Sequence, residues 1–395
     1  MSLPVNLPPP DENALAHSCA LQSMIREKIT VAGGWIPFER YMDLVLYAPG
    51  MGYYSSGATK LGSAGDFVTA PELSALFGRT LARQLWQVME SIESCDVLEF
   101  GAGSGRLAVD MLLELEQAGR LPGKYFIVEV SAELRQRQQM LFSRKIAHLL
   151  SRIEWLDRLP DRFTGIVLAN EVLDAMPVHL VVWRDGEILE RGVAWCDDRF
   201  VWRDRPVQGE ELHTAADRLS PLVNPDGAAP FHYVSEINLA AAGFMRSLNA
   251  LLQRGAVLLI DYGFGEREYY HPQRNQGTLM CHYRHHAHDD PFFLPGLQDI
   301  TSHVNFSAIA QAALENELEL LGYTTQAHFL INCGIVDQLA RTSAADPSGY
   351  LPLSNQLQKL VSPAEMGELF KVIAFGKAYD HPLDGFYTGD MSRLL

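Results

Sequence analysis

The chain has 395 residues, of which 47% are apolar, and it carries a formal charge of −16 at pH 7. This length and apolar content allow a sizeable core in one enlarged domain or in two. The acidic excess, with no basic stretch to offset it, argues against nucleic acid as a partner because phosphate would be repelled. A basic protein or peptide would be an easier partner.

Cysteine usage and the absence of targeting signals favour a reducing compartment. The five cysteines are scattered and never spaced as Cys-x-x-Cys, which argues against a zinc cage or a disulfide framework. Residues 1–10 hold three consecutive prolines and neither a basic residue nor an apolar core, so no signal or transit peptide is predicted. No apolar run is long enough to span a membrane. We therefore expect a cytoplasmic protein.

The N-terminal part of the chain combines helical and aromatic segments. Apolar residues recur at helical spacing over residues 13–30, which predicts an amphipathic helix. The next stretch, residues 35–67, is rich in aromatics and glycines and is compatible with either a pocket wall or a core. A second helix is predicted over residues 73–89, with Thr69 as its N-cap and Glu72 at its positive end.

A strand, a glycine turn and a helix follow one another in the segment around which the chain is organised. Residues 97–100 form a short apolar run, and Gly101, Gly103 and Gly105 come directly after it. Glycines at alternate positions let backbone amides approach a ligand at a helix N-terminus. A dinucleotide fingerprint would place its third glycine one residue later, so the spacing after Glu99 favours a nucleoside over a pyrophosphate.

Two further apolar runs end in polar residues. Residues 125–130 include Glu129, one βαβ step after the first strand. A carboxylate there can accept hydrogen bonds from both ribose hydroxyls, which indicates a nucleoside with free 2′ and 3′ oxygens. Residues 163–169 lead into Asn170 and Glu171. Ligands of open α/β sheets lie beyond the carboxyl ends of the strands, so these two side chains are candidate site residues.

The rest of the chain supplies further strands and two insertions. An alternating pattern over residues 178–202 predicts an inserted β-meander, and residues 264–303 form an irregular insertion rich in Gly, Pro and His. Four histidines and two aspartates within residues 282–290 match no zinc spacing, so no metal is predicted. Other predicted elements are helices 132–148, 237–252, 306–321 and 336–369, strands 153–156, 256–260, 323–329 and 371–375, and a peripheral tail after residue 377.

An ordered set of short motifs covers nearly the whole chain. They are Gly65-Asp66-Phe67 to Pro71-Glu72, Glu99 to Gly105, Glu129-Val130-Ser131, Asn170-Glu171 with Asp174 and Pro177, Asp261-Tyr262-Gly263, Gly277-Thr278-Leu279, Pro295-Gly296 with Asp299, His303 to Phe306, and Met366-Gly367-Glu368. In these motifs the chain resembles the MidA-like methyltransferases, the family of a mitochondrial complex I assembly factor that methylates arginine. One departure is Ala102, where the family often has proline.

The resemblance implies an α/β fold of the class I methyltransferase type, with a Rossmann-like seven-stranded sheet and helices on both faces. On this basis we predict an N-terminal helical and aromatic cap on the substrate side (1–90), a cofactor-binding half of the core (91–177), an inserted β-meander (178–235), a core segment (236–263), an inserted loop region (264–304), the remainder of the core (305–377) and a tail (378–395).

The cofactor implied by the resemblance is S-adenosyl-L-methionine. We expect the loop amides to cradle its methionine end, Glu99 to lie near its ammonium group and Glu129 to take its ribose. Asp157, which follows the third strand, is expected near the adenine amine. The predicted cofactor-binding residues are thus Glu99, Gly101, Gly103, Gly105, Glu129 and Asp157.

The resemblance also implies an arginine acceptor on a protein such as a respiratory complex I subunit, with symmetric dimethylation. Full deprotonation of a guanidinium at neutral pH would cost on the order of 8 kcal/mol, so carboxylates that hold it and take its proton late suit the reaction better. We assign this catalytic role to Glu171, with Asp66 or Asp174 as a second carboxylate and Asn170 orienting the acceptor or the methionine moiety. The predicted substrate-binding residues are Asp174, Asp261 and His303.

Three other interpretations stay open from the sequence. The glycine turn occurs in other α/β proteins, the fold could serve a non-catalytic assembly factor, and the acceptor could be a small molecule. Affinity for S-adenosylmethionine would separate an enzyme from an assembly factor, and the shape of the acceptor pocket would separate a peptide from a small molecule. The sequence predicts neither the oligomeric state nor the number of methyl groups transferred.

Overall fold

The computed structural model describes residues 7–56, 69–227 and 229–395, so the predictions made for Asp66 lie outside the described residues. The helices are α1 Glu12–Val31, α2 Phe38–Tyr47, α3 Ala70–Leu73, α4 Ala75–Glu90, α5 Arg106–Gln117, α6 Ala132–Lys145, α7 Glu210–Val223, α8 Leu239–Leu251, α9 Glu266–Tyr269, α10 Phe306–Leu314, α11 Gln326–Asn332, α12 Ile335–Ala340 and α13 Pro347–Val361. The strands are β1 Ile36–Pro37, β2 Asp96–Phe100, β3 Tyr125–Val128, β4 Ile153–Leu156, β5 Phe163–Asn170, β6 His179–Arg184, β7 Glu187–Cys196, β8 Arg199–Pro206, β9 His232–Ile237, β10 Leu252–Phe264, β11 Met280–Tyr283, β12 His286–His288, β13 Asp299–Thr301, β14 Val304–Asn305, β15 Glu319–Thr325 and β16 Phe370–Lys377.

The chain divides into two compact units, each assembled from three segments. The N-terminal unit comprises Met1–Phe67, Asp174–Gly243 and Glu266–His303, and the C-terminal unit comprises Val68–Leu173, Phe244–Gly265 and Val304–Leu395. Helix α4, which was predicted as part of the N-terminal cap, belongs to the C-terminal unit.

The C-terminal unit is built on a mixed sheet with the strand order β15-β16-β10-β5-β2-β3-β4. Strands β4, β3, β2, β5 and β10 pair in parallel, and β16 runs antiparallel to both β10 and β15. The predicted seven-stranded class I sheet is therefore confirmed, with the short β14 added beside the end of β10. Because the five parallel strands end at one edge, polar residues after β2, β3, β5 and β10 belong to that edge.

The N-terminal unit holds the predicted inserted meander as part of a larger antiparallel sheet. Strands β6, β7 and β8 form the meander, and β9 and β1 pair with β6 and β7. Helix α2 lies within the aromatic stretch, where Phe38, Tyr41 and Met42 are fully buried. Composition left open whether the aromatic stretch forms a pocket wall or a core. Residues 38–47 form a core.

Several element boundaries differ from the prediction, and caps decide two of them. Thr69 occupies the N-cap position of α3, but its side chain makes no capping hydrogen bond, and the long helix α4 begins only after Ser74. The Ser74 Oγ accepts a hydrogen bond from Leu76 N at 3.2 Å. Likewise, Thr325 ends β15 and caps α11, so the predicted strand 323–329 is wrong beyond Thr325.

The tail after residue 377 is not peripheral, and that prediction is wrong. Tyr379, Leu383 and Phe386 are buried in the main core of the C-terminal unit. Gly385 N donates to Gln84 Oε1 at 2.8 Å, which fixes the tail to helix α4. The tail is therefore part of the folded unit.

We expect Phe386→Ala to lower the free energy of unfolding by about 3–5 kcal/mol, the usual cost of removing a buried phenyl ring. The Phe386 ring lies 5.5 Å from the ring of Phe329, and a Cβ on Gly322 would come within 2.4 Å of it. The matched control is Tyr387→Ala, since Tyr387 is 88% exposed and should change stability by less than about 0.5 kcal/mol. Equal thermal midpoints for the two variants would show that the tail does not stabilise the fold.

Candidate active site

The glycine loop after β2 adopts the backbone that its sequence predicts. Gly101, Gly103 and Gly105 have φ angles of 62°, 55° and 85°, in the left-handed region that favours glycine. A Cβ on Gly105 would lie 2.7 Å from the ring of Phe142, so there is no room for a side chain. Helix α5 begins at the next residue, and its N-terminal amides point toward the loop side.

Glu72 also supports this loop, which the sequence did not reveal. The Ser104 hydroxyl donates to the Glu72 carboxylate, and Arg106 Nη1 lies 3.3 Å from Glu72 Oε2. The sequence pattern indicates only a favourable charge at a helix N-terminus for Glu72. Its contacts instead connect α3 to the glycine loop, more than thirty residues further along the chain.

Glu99 is a buried carboxyl group within β2. It is 2% exposed, and the Tyr125 hydroxyl on the neighbouring β3 donates to its Oε2 at 2.7 Å. Burial raises the pKa of Glu99 to about 7, the hydrogen bond from Tyr125 opposes this shift, and the nearby Glu129 adds to it. The group is therefore near its titration midpoint at neutral pH.

Glu129 lies just beyond β3 and is 6% exposed. Its Oε1 accepts from Ser131 N at 2.9 Å, and its Oε2 accepts from Gln138 Nε2 at 3.2 Å. Burial raises the pKa of Glu129, while the hydrogen bonds from Ser131, Gln138 and the Gly103 amide lower it. The carboxylate is thus held in a fixed orientation by donors from three different segments.

Asp157 follows β4 and is linked to Glu129 through Arg135. Arg135 Nη1 lies 2.7 Å from Asp157 Oδ1, and Arg135 Nε donates to the backbone oxygen of Glu129 at 3.0 Å. The Asp157 side chain is 87% exposed. The structure therefore brings the predicted ribose and adenine residues to one end of the sheet, by means of an arginine that the sequence did not single out.

Asn170 and Glu171 stand at the carboxyl end of β5. Asn170 Nδ2 donates to Glu171 Oε1 at 3.1 Å, while the described residues offer no hydrogen-bond partner to its buried Oδ1. Glu171 has a φ of 53°, which is costly for a residue with a side chain, and its amide donates to Ile260 O at 2.9 Å. A strained backbone that carries a carboxylate, next to a buried amide oxygen, is typical of a functional position.

Asp261, in the C-terminal part of β10, is only 1% exposed. Its Oδ2 accepts from Leu173 N and its Oδ1 from Tyr262 N, both at 2.9 Å. These bonds attach the chain after Glu171 to the neighbouring strand. The geometry therefore gives Asp261 a positioning function, and its predicted contact with substrate stays a prediction.

Asp174 and His303 belong to the N-terminal unit and lie close together there. Ser302 N donates to the backbone oxygen of Asp174 at 3.0 Å, and His303 N donates to Thr278 Oγ1 at 3.1 Å. Asp299, three residues before Ser302, accepts from the Tyr54 hydroxyl at 2.9 Å. Two of the predicted substrate residues are thus brought into one buried polar region.

Glu236 is the buried carboxylate that organises this region, and no sequence pattern singled it out. It is 2% exposed and accepts hydrogen bonds from Thr278 N at 2.8 Å and Leu279 N at 3.0 Å. A Cβ on Gly277 would lie 2.3 Å from Glu236 Oε1, so the motif Gly277-Thr278-Leu279 forms the cradle of this carboxylate. The hydroxyls of Tyr269, Thr278 and Ser235 complete its hydrogen bonds.

The described residues contain neither a cluster of metal ligands nor a membrane-spanning helix. They bring no three His, Cys, Asp or Glu side chains into an arrangement that could hold a metal ion, and the histidine-rich stretch forms the hairpin β11–β12. Within the same part of the chain, no helix combines the length and apolar character needed to cross a membrane.

Comparison with known proteins identifies the family. Residues 80–324 match the family described as "Putative S-adenosyl-L-methionine-dependent methyltransferase". A crystal structure from Burkholderia thailandensis, of a "likely methyl transferase" bound to S-adenosyl-homocysteine, is 52% identical and has a TM-score of 0.94, with 99% of this chain and 100% of that chain covered. This chain belongs to the MidA-like S-adenosylmethionine-dependent methyltransferases.

Two curated relatives of this MidA-like chain carry the name "Protein arginine methyltransferase NDUFAF7, mitochondrial". The Mus musculus protein is 29% identical over 400 residues, which cover 92% of this chain and 86% of the relative. The Xenopus tropicalis protein is 30% identical over 372 residues, which cover 86% and 81% respectively. The similarity thus extends over most of both proteins, and includes both units.

The residues of the MidA-like site fit S-adenosylmethionine. A ribose diol needs fixed acceptors, which the two oriented oxygens of Glu129 provide. An ammonium group needs a buried anion, which Glu99 can provide. The groups that act on Glu99 are the neutral phenol of Tyr125 and the carboxylate of Glu129, so neither of them neutralises its charge. The glycine loop admits close backbone approach, and the buried Asn170 Oδ1 can accept from a ligand.

We expect Gly105→Ala to destabilise this MidA-like protein by about 2–4 kcal/mol and to lower its affinity for S-adenosylhomocysteine at least about tenfold. The cost combines left-handed backbone strain with a collision against Phe142. Gly119→Ala is the matched control, because Gly119 has a φ of 73° but a Cβ there would meet nothing within 4 Å, and it should cost only about 1–2 kcal/mol. Thermal unfolding and calorimetric titration measure both effects; equal losses for the two variants would contradict the collision.

Proposed function

We propose that this methyltransferase transfers methyl groups to an arginine guanidinium of a protein. The observation that carries the proposal is the pair Asn170 and Glu171, held at the carboxyl end of β5 in a strained backbone. Relatives similar over most of this chain and named as protein arginine methyltransferases support it. The family resemblance adds symmetric dimethylation and a respiratory complex I subunit as the first acceptor to test. The cytoplasmic location stays a prediction.

The residues perform this reaction mainly by holding the reactants in place. When bound, the cofactor supplies an electrophilic methyl group on a sulfonium. Glu171 holds the guanidinium by charge-assisted hydrogen bonds from its two terminal nitrogens. One of these nitrogens attacks the methyl group through its out-of-plane lone pair, while its in-plane N–H group keeps its hydrogen bond to Glu171. Positioning of this kind can account for a large part of the rate.

The proton leaves the guanidinium late. Its removal beforehand would cost on the order of 8 kcal/mol at neutral pH, whereas the pKa falls as the nitrogen forms its new bond to carbon. Glu171 accepts that proton from the nitrogen that it holds. Asn170 donates to Glu171 Oε1 and so fixes the carboxylate, while its Oδ1 is available to a substrate or cofactor N–H group.

The test is to incubate the purified protein with methyl-labelled S-adenosylmethionine and a lysate of a strain that lacks it. The labelled residue is then located by mass spectrometry, with Glu171→Gln run in parallel. Label on an arginine, absent with the variant, is expected, and fragmentation shows whether one or two methyl groups were added. Label only on small molecules would favour a small-molecule acceptor. No binding of the cofactor, together with no label in any fraction, would leave a non-catalytic assembly factor.

A further inference from the structure

Gln138 lies in α6 and is completely buried, with 0% exposure. Its Nε2 donates to Gly103 O at 2.8 Å and to Glu129 Oε2 at 3.2 Å, and its Oε1 accepts from Trp155 Nε1 at 2.7 Å. Both amide hydrogens and the amide oxygen are therefore used. A side chain bound in this way has one orientation only.

The three partners of Gln138 come from different parts of the predicted cofactor site. Gly103 is in the glycine loop, Glu129 follows β3 and Trp155 is in β4. The bond to Gly103 O also orients the loop, because a trans peptide turns the following N–H, that of Ser104, to the opposite side. One turn further along α6, Phe142 stacks on Trp155 with ring centroids 5.7 Å apart.

We propose that Gln138 is a positioning residue for cofactor binding, which orients the Glu129 carboxylate and the glycine loop together. It acts through Glu129 on the ribose hydroxyls and does not itself contact the cofactor. The proposal rests on Glu129 receiving the ribose, and not on the identity of the methyl acceptor. It can therefore be tested by binding alone.

The experiment compares 5′-methylthioadenosine with its 2′-deoxy analogue by calorimetric titration. These ligands lack the amino-acid end, so Glu99 does not influence the comparison. In the wild-type protein we expect loss of the 2′-hydroxyl to weaken binding about tenfold, as for a hydrogen bond to a charged group. The ratio of the two affinities should be smaller in Glu129→Gln. It should be reduced as much in Gln138→Met, which keeps the side-chain volume but not the amide. Gln139→Met changes an exposed neighbour and should leave the ratio intact.

A second variant gives a readout that lost packing would not give. Gln138→Glu keeps the shape, but it places a carboxylate beside Glu129, where Glu99 is a further carboxyl group and Arg135 is the nearby cation. Two such carboxyl groups share a proton as the pH falls, and a protonated Glu side chain can donate again. Relative to wild type, binding of 5′-methylthioadenosine by this variant should therefore recover from about pH 8 to about pH 6.

Three results would overturn the proposal. Gln138→Met could retain the wild-type ratio while Glu129→Gln loses it, which would show that Glu129 needs no help from Gln138. The wild type could show no discrimination between the two ligands, which would remove the premise about the ribose. Gln138→Glu could bind as weakly at about pH 6 as at about pH 8 relative to wild type, which would favour a role in packing only.

Discussion

Glu171→Gln is expected to lower the rate of methyl transfer to the protein acceptor by about 10²- to 10⁴-fold, the usual contribution of a general base. Glutamine preserves the shape of the side chain and an oxygen for the hydrogen bond from Asn170 Nδ2. It carries no charge to hold a guanidinium and cannot take its proton. The measurement is the single-turnover rate at saturating cofactor, which separates chemistry from binding.

The control for this variant is the same change at a carboxylate outside the site. Glu154→Gln removes one negative charge from β4, where the side chain is 52% exposed, and should leave the rate unchanged. The affinity of Glu171→Gln for S-adenosylhomocysteine should stay within about twofold of wild type, since Glu171 is assigned to the acceptor. Full turnover by Glu171→Gln, with normal cofactor binding, would rule out the catalytic role.

The part of the site that could be predicted from the sequence is local in the chain. The run from Glu99 to Gly105 contains its own strand, turn and helix start, and the positive φ angles of its glycines follow from residue type. Glu129 and Glu171 could be found because each follows an apolar run, and parallel strands bring such ends to one edge. No long-range information is needed for any of these three assignments.

The residues that were missed depend on contacts between distant segments. Gln138 follows no pattern that separates it from an exposed glutamine of an amphipathic helix, yet it meets Gly103, thirty-five residues away, and is fully buried. Glu236 meets Thr278 across forty-two residues. A single sequence contains no information on which distant positions are in contact. The motif from Gly277 to Leu279, which had no assigned role, was nevertheless a signal that its backbone binds some buried group.

Some boundaries were missed despite a usable signal. Residues 38, 41, 42 and 45 recur at helical spacing, and all four are buried in α2, but the aromatic composition of the whole stretch hid this short pattern. Thr325 caps α11 through a hydrogen bond from His328 N at 3.3 Å. The predicted strand continued to residue 329, whereas a cap residue at position 325 indicates a helix start.

Glu99→Gln is expected to stabilise the cofactor-free protein at alkaline pH and to weaken its binding of S-adenosylhomocysteine. Folding raises the pKa of Glu99 from 4.5 to about 7, so the folded state retains a proton that the unfolded chain has lost. Below about pH 4.5 both states are protonated and Glu99 costs nothing; the cost grows as the pH rises to about 7 and is complete above it. At 1.36 kcal/mol per unit it reaches about 3 kcal/mol. The thermal midpoint of Glu99→Gln should therefore exceed that of wild type at about pH 8, and the gap should close toward about pH 4.5.

The same titration governs ligand binding, because only the ionised Glu99 attracts an ammonium group. Wild-type affinity for S-adenosylhomocysteine should rise with pH through about 7. The affinity of Glu99→Gln should not rise in this way, and at about pH 8 it should be roughly ten- to hundredfold lower than that of wild type. Tyr125→Phe removes the hydrogen bond that lowers the pKa of Glu99, so it should shift the slope to higher pH. 5′-Methylthioadenosine, which has no ammonium group, is the control ligand and should bind wild type and Glu99→Gln alike. Glu99→Gln could instead bind S-adenosylhomocysteine with the wild-type affinity and pH dependence. That result would show that Glu99 does not face the ammonium group, and its hydrogen bond to Tyr125 would then be the remaining reason for a buried carboxyl group at this position.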